Sequence, residues 1–314
     1  MLDCSRNNHR GVRRRAATVL VVAVALAVAA VSAASGESQR ASVKAPWILF
    51  SGLNNGTGTE QIYRIKSSGQ GLRQLTKGSY PSEAPAFSPS GKRVAFARLG
   101  VGILTMNVDG TGLRRLTTNV RDSFPVWSPN GKQIAFIRPL KNGWKVHVMS
   151  ATGAGARPLR LAPPAGRPSW TAGGLVIPTG GDLARIDPRT GRVQKLFGAV
   201  IDAATGMTST TVAPNLSNLT FVGPRPPIPG DKDCGEGEPC PRFGLYIESL
   251  PTRTDAQLIV RDTGPAAYFN GGRNLAFVAL NKLFFRNIKT GKTTAVAPGT
   301  VDPTTGAPPA VQPR

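Results

Sequence analysis

The sequence predicts an all-β protein, a six-bladed β-propeller built from four-stranded antiparallel blades. Three observations lead to this prediction. A unit of about forty residues recurs along the chain, short apolar runs alternate with polar residues inside each unit, and 36 glycines and 27 prolines punctuate the 314 residues. Short strands ended by tight turns fit this composition better than long helices do.

The clearest repeat is a motif that contains a Ser-Pro turn. Residues 87–97 read FSPSGKRVAFA, and residues 127–137, forty positions later, read WSPNGKQIAFI. Weaker copies begin at Trp170, Ala213 and Phe269. Each copy joins two apolar runs through a turn, and glycine accepts the positive φ that such tight turns need. The motif therefore predicts antiparallel hairpins.

The second half of the unit also repeats. Residues 62–76 read IYRIKSSGQGLRQLT, and residues 103–117 read ILTMNVDGTGLRRLT. The unit ends at six apolar residues, Leu75, Leu116, Leu159, Leu196, Leu258 and Val296. Four short strands in about forty residues are typical of a propeller blade, and the wider spacing before Leu258 predicts an insertion in the fifth unit.

These motifs resemble the WD40-like Pro-Asp repeats of TolB-type six-bladed β-propellers. The resemblance covers residues 47–298 and is most specific over 79–161. It implies an extracytoplasmic propeller that serves as a protein-binding platform. We expect no separate N-terminal α/β domain of the kind TolB carries, because only about a dozen residues separate the leader from the first strand.

The N-terminal segment 1–34 is predicted to be a signal peptide or an N-terminal membrane anchor. Its first fifteen residues are polar and basic, whereas 16–34 contain no charge and end in small residues. Residues 35–46 are predicted to be a linker. We therefore expect a secreted, periplasmic or cell-surface protein that touches a membrane only through an uncleaved leader.

Closure of the ring has two candidate solutions. The first unit begins near Trp47 and lacks a clear innermost strand, which either residues 41–45 or the tail after 299 would supply. The tail 299–314 is rich in proline, which cannot donate to a strand ladder. We expect it to be disordered beyond about residue 303.

The charge balance indicates what the protein binds. Lys and Arg number 39 against 17 Asp and Glu, a net charge of +22 at pH 7. Such a surface attracts polyanions, so we expect an envelope protein or an anionic cell-wall polymer as partner; a genome that favours arginine is the other source of this charge. Nucleic acid is not expected, because aromatic residues are only 6%. We expect a monomer.

The reactive residues favour a non-catalytic binding module. His9 lies in the leader, which leaves His147 alone in the body, and neither a histidine-based triad nor a multi-histidine metal site can be built on it. The run KTGKT at 289–293 aligns with hairpin turns of other units. The alternative function is a propeller-type enzyme, a lyase or hydrolase with an axial metal site.

The predicted binding site lies around the axial opening. In a propeller the innermost strands begin next to one another there, so polar residues at those positions converge on one funnel. The residues predicted to line it are Tyr80, Glu83, Arg121, Asp122, Arg167 and Tyr268.

The insertion in the fifth unit carries two further predictions. Cys234 and Cys240 are the two cysteines that remain outside the leader, and we expect them to form a disulfide. The same loop contains a candidate calcium site of four carboxylates, although their spacing is not that of an EF-hand: Asp231, Asp233, Glu236 and Glu238. No other cofactor is expected.

Overall fold

The computed structural model describes most of the chain after residue 45. The described residues are 46–53, 58–160, 164, 166–179, 182–198, 209–213, 218–225, 242–249, 257–261, 266–269, 273–279, 282–296, 302–303 and 309–312. Among them the regular structure is all β-strand, and they contain no apolar helix of a length that could cross a membrane. The predicted leader and the linker up to residue 45 lie outside the described residues.

The first three sheets hold the best-preserved repeats. Blade 1 contains β1 (Trp47–Leu53), β2 (Glu60–Lys66) and β3 (Arg73–Gln74), together with β24 (Asp302–Pro303) and β25 (Ala310–Val311). Blade 2 contains β4 (Ser82–Phe87), β5 (Arg93–Arg98), β6 (Gly102–Asn107) and β7 (Arg114–Arg115). Blade 3 contains β8 (Ser123–Trp127), β9 (Gln133–Leu140), β10 (Gly143–Ser150) and β11 (Arg157–Pro158).

The weaker repeats form sheets of the same order. Blade 4 contains β12 (Ser169–Thr171), β13 (Gly174–Thr179), β14 (Asp182–Ile186) and β15 (Val193–Gly198). Blade 5 contains β16 (Ser209–Val212), β17 (Asn218–Arg225), β18 (Arg242–Ser249) and β19 (Gln257–Arg261). Blade 6 contains β20 (Ala267–Phe269), β21 (Asn274–Ala279), β22 (Lys282–Asn287) and β23 (Thr293–Val296).

The strands of the described residues thus form six antiparallel sheets in a propeller arrangement, and each predicted unit supplies one of them. The prediction of an all-β propeller is confirmed. The hydrophobic core lies between successive blades: Ile48 and Phe50 face Val278 of blade 6, whereas their neighbour Leu49 faces Val94 of blade 2. This follows from the strand geometry, because alternate side chains point to opposite faces of a sheet.

The C-terminal tail closes the ring. Strand β25 pairs with β1 at Ile48 and Leu49, and β24 pairs with it at Gly52 and Leu53. The expectation that the tail is disordered beyond about residue 303 is therefore wrong for Ala310–Val311. The inner edge of β1 would otherwise leave backbone groups without strand partners, and the tail satisfies them.

The two faces of the propeller differ in what they carry. The innermost strands β4, β8 and β12 all begin on one face, which we call the start face. The end of β5 and the start of β6 lie on the same face, because Ser82 pairs with Arg98 and Arg98 pairs with Gly102. We call the opposite face the turn face, because the Ser-Pro turns between the first and second strands lie there.

Candidate functional site

The innermost strands of blades 2 and 3 bulge close to the start face. The register shifts between Glu83 and Ala86 in β4 and at the equivalent place in β8. Ala84 and Phe124, forty residues apart, have φ values of 51° and 52°. Each is followed by a proline, whose missing N–H is tolerated in a bulge. Such positive φ is unfavourable for residues other than glycine, and strained backbone of this kind clusters at functional sites.

The bulge in blade 3 brings Phe124 under an arginine of blade 4. The guanidinium carbon of Arg167 lies 4.1 Å from the centre of the Phe124 ring, a cation–π contact. Arg167 precedes Pro168, so it occupies in its unit the position that Ala84 and Phe124 occupy in theirs. Equivalent positions of successive blades therefore meet around the axis.

Two carboxylates complete this group, which we call the axial arc: Glu60, Glu83, Phe124 and Arg167. Burial raises the pKa of Glu83, the charge of Glu60 raises it further, and Arg167 lowers it. Burial lowers the pKa of Arg167 to about 10 against the opposing effect of the two carboxylates, so Arg167 stays charged at neutral pH. The axial arc thus places charges of both signs in a partly buried setting, where they interact more strongly than in water.

We expect Glu83→Gln to change how stability depends on pH. Because the folded protein raises the pKa of Glu83 above its ordinary value of 4.5, it binds that proton more tightly than the unfolded chain. The unfolding free energy therefore falls as the pH rises from 4.5 through the raised pKa. Thermal unfolding followed by circular dichroism should show that the stability of the variant, relative to the wild type, increases as the pH rises from 4.5 through the raised pKa of Glu83.

Asp109→Asn is the matched control, and its effect on stability should depend on pH in the opposite direction. Hydrogen bonds from Thr111 lower the pKa of Asp109, so its carboxylate adds stability that is lost as the pH falls. A Glu83→Gln difference that stays constant over the pH range would contradict the raised pKa.

Asp122 has a structural role instead of lining the funnel. Its side chain is fully buried, and both oxygens accept from Arg138 Nε and Nη2 at 2.7 Å. The equivalent pair in blade 2 is Ser82 and Arg98, where the Arg98 Nε donates to Ser82 Oγ at 3.1 Å. Because the Asp122 side chain is fully buried and each of its oxygens accepts from Arg138, it ties the residue before β8 to β9 and presents no exposed surface to a ligand.

The remaining predicted funnel residues lie in different places. Arg121 is exposed at the start face, where its backbone N–H donates to Asn119 Oδ1. Tyr80 is 56% exposed, and its ring lies over Gly100. Tyr268 lies in β20 opposite Leu275, and only its backbone is described. The predicted disulfide and calcium candidate lie outside the described residues, in the insertion 226–241.

The two motifs that sequence analysis set aside have ordinary surroundings. His147 is buried in β10, stacks on Phe136 at 5.5 Å, and has its pKa lowered mainly by burial. Residues 288–292 form the turn between β22 and β23, with the Thr290 N–H donating to Asn287 Oδ1. Among the described residues no group of three or more His, Cys, Asp and Glu side chains is arranged to hold a metal ion.

Sequence reasoning missed Glu60 and Phe124. A pattern for Phe124 is present in the sequence, because Ala84, Phe124 and Arg167 all stand three residues before the aromatic residue of the repeated motif and directly before a proline. Glu60 begins β2, a strand that is not innermost, so no rule about innermost strands selects it.

Solved structures share this architecture. TolB from Acinetobacter baumannii superimposes with a TM-score of 0.62 at 13% identity, over 86% of this chain and 67% of that one. The chain has the fold of the TolB-type β-propellers. The sequence resemblance to these propellers is thus confirmed for the fold, and an identity of this size establishes the fold alone.

Other proteins with this fold differ from TolB in their roles. A chain of the nidogen–laminin complex matches with a TM-score of 0.58 at 10% identity, over 85% of this chain and 98% of that one. An oligogalacturonate lyase from Vibrio parahaemolyticus matches with a TM-score of 0.51 at 11% identity, over 79% of this chain and 73% of that one. No family model matches this chain, and a search of curated proteins finds no match.

Proposed function

We propose that the protein is an extracytoplasmic, non-catalytic scaffold that binds an envelope protein through the start face of its propeller. The observation that carries this proposal is the axial arc, which gathers charged side chains from blades 1, 2 and 4 beside a strained aromatic residue. Export is proposed from the uncharged segment 16–34.

The chemistry of the axial arc favours a peptide segment as its ligand. Arg167 is a donor with a planar fork that pairs well with carboxylates or carbonyl groups. Glu83 and Glu60 are acceptors for amide or ammonium groups. A peptide offers groups of both kinds within a few ångströms, whereas a purely anionic polymer would be repelled by the two carboxylates.

Anionic cell-wall polymers are proposed as a second, weaker class of partner that binds elsewhere. The outermost strands expose arginines at repeated positions, Arg73, Arg114, Arg115 and Arg157. Charged residues on such edges also prevent edge-to-edge association of strands. Binding through them should disappear at high salt, because exposed charges are screened there.

We expect Arg167→Met to reduce specific capture of a partner by about tenfold, the effect of losing one charge-assisted contact. The tagged full-length protein would be incubated with envelope extract and washed at low and high salt, and bound proteins quantified by mass spectrometry. A partner that survives the high-salt wash with wild type and is lost with Arg167→Met supports the proposal.

Arg114→Gln is the matched control, since it removes the same charge from an exposed outer strand. Equal losses with Arg114→Gln and Arg167→Met would contradict a role for the axial arc. Retention of polymer alone, all of it released by salt, would replace the axial proposal with one based on net charge.

The alternative proposal is a propeller-type lyase or hydrolase with an axial metal. The fold shared with an oligogalacturonate lyase supports it at the level of architecture alone. Elemental analysis of the purified protein distinguishes the two proposals. A stoichiometric transition metal would favour the enzyme, whereas stoichiometric calcium would point to the carboxylates at 231–238.

A further inference from the structure

The turn between the first two strands is shorter in blade 4 than in blades 2 and 3. Phe87 pairs with Val94 and Trp127 with Ile134, with six residues between the members of each pair. Trp170 pairs with Leu175, with only four residues between them, 171–174. The weak third copy of the motif is therefore a copy with two residues fewer in its turn.

The shorter turn leaves a gap on the turn face. Between blades 2 and 3 the long turns pack together, because a β-carbon added at Gly131 would lie 3.6 Å from Pro89 Cδ. Phe87 and Trp127 are correspondingly only 8% and 7% exposed. Between blades 3 and 4 there is instead a groove of about 500 Å³, and Trp170, which is only partly buried, forms part of its wall.

A second groove of about 390 Å³ shares Gly173 and Asp187 with the first, so the two run together across blade 4. Arg185 lines the second groove and is held in place. Its Nη2 donates to Gln194 Oε1 at 2.5 Å, and a β-carbon at Gly173 would lie 2.9 Å from its Nη1. The absence of a side chain at 173 thus lets the guanidinium lie against the turn.

Blades 3 and 4 are joined directly beside the groove. Arg157 of β11 donates through Nη2 to the carbonyl of Pro188 in the turn of blade 4. Asn130 on the blade 3 wall uses its Oδ1 to accept from Ser128 Oγ and the Lys132 N–H, so its amide nitrogen is the group that can donate to a ligand. The groove is therefore built from a partly buried aromatic wall, an amide, an oriented cation and the Asp187 carboxylate, whose Oδ1 accepts from the Arg189 N–H.

We propose that this groove binds an acidic sugar of a uronic-acid polysaccharide. The Trp170 ring would pack against the apolar face of a pyranose, Arg185 would pair with the carboxylate, and Asn130 would donate to a hydroxyl. Arg192 adds a second, exposed cation to the same groove. The site lies on the face opposite the axial arc and does not depend on the function proposed there.

The test is calorimetric titration of the full-length protein with a hyaluronan tetrasaccharide, which carries glucuronate. The neutral chitotetraose is the matched sugar without carboxylates. We expect the acidic sugar to bind at least about tenfold more tightly, and Arg185→Gln to remove that preference. Arg273→Gln, which deletes an exposed arginine of blade 6 that has no part in either proposed binding surface, should leave binding unchanged.

Grafting a longer turn onto blade 4 tests the groove while keeping the side chains of Trp170, Arg185 and Asn130 unchanged. Replacing residues 171–174 with the six-residue turn sequence of 128–133 should close the gap and abolish binding, while the melting temperature shows whether the protein still folds. Equal affinity for both sugars, equal losses with Arg185→Gln and Arg273→Gln, or unchanged binding by the graft would each overturn the proposal. If an acidic peptide displaced the bound sugar from the groove, that result would overturn the proposal as well.

Discussion

Deleting residues 309–314 should lower the free energy of unfolding by about 3–5 kcal/mol. The deletion uncovers Ile48 and Leu49, which are fully buried against β25, and removes the backbone hydrogen bond from the Gln312 N–H to the Trp47 carbonyl. It also removes Ala310 from the cluster between blades 1 and 2. For a domain of this size, we expect the melting temperature to fall by about 10 °C.

The matched control removes only residues 313–314, which lie beyond the closing strand. This shorter deletion should leave thermal unfolding unchanged, since the pairing of β25 with β1 is intact. A melting temperature that stays within about 1 °C of wild type after the longer deletion would mean that the tail does not close the ring.

Asp122→Ala should destabilise the protein by about 2–4 kcal/mol. Removing one partner of a buried ion pair leaves the other charge without compensation, and Asp122 is fully buried while Arg138 is 21% exposed. The remaining exposure of Arg138 lets water solvate part of its charge, which places the expected loss below that for a fully buried pair. Chemical denaturation followed by tryptophan fluorescence measures the change.

Asp122→Ser provides a control that the chain itself suggests. Serine stands at the equivalent position in blade 2, where Ser82 accepts from Arg98. We expect this variant to lose about half as much stability as Asp122→Ala, because one neutral hydrogen bond replaces the two charged ones. If both variants unfold like the wild type, the ion pair does not stabilise the blade.

Repetition made most of the fold predictable. The spacing of Phe87 and Trp127, with a proline and a glycine at fixed offsets, predicts hairpins because a tight turn depends on the few residues that form it. Alternating apolar residues then predict which side chains are buried between blades. The sequence pattern did not decide between the tail and residues 41–45 as the partner of β1, because strands of two residues beside prolines leave almost no local pattern.

The candidate site was predictable only in part. Glu83 and Arg167 were found by their place before innermost strands, but Asp122 occupies the same kind of place and is used by Arg138 instead. Glu83 and Asp122 differ by one position in the repeat, because Asp122 is equivalent to Ser82, and both Asp122 and Ser82 accept from an arginine sixteen residues further on. A rule that selects every polar residue near the start of an innermost strand does not separate these neighbouring positions.

Composition and period were enough to identify strands, turns and the number of repeated units, because those properties depend on residues close together in sequence. The axial arc, the closing tail and the groove of blade 4 required the folded ring. Arg167 meets Phe124 from 43 positions away, and Val311 meets Ile48 from the other end of the propeller. The first contact arises only when blades 3 and 4 pack together, and the second only when the ring closes, so tertiary packing decides them and local sequence does not.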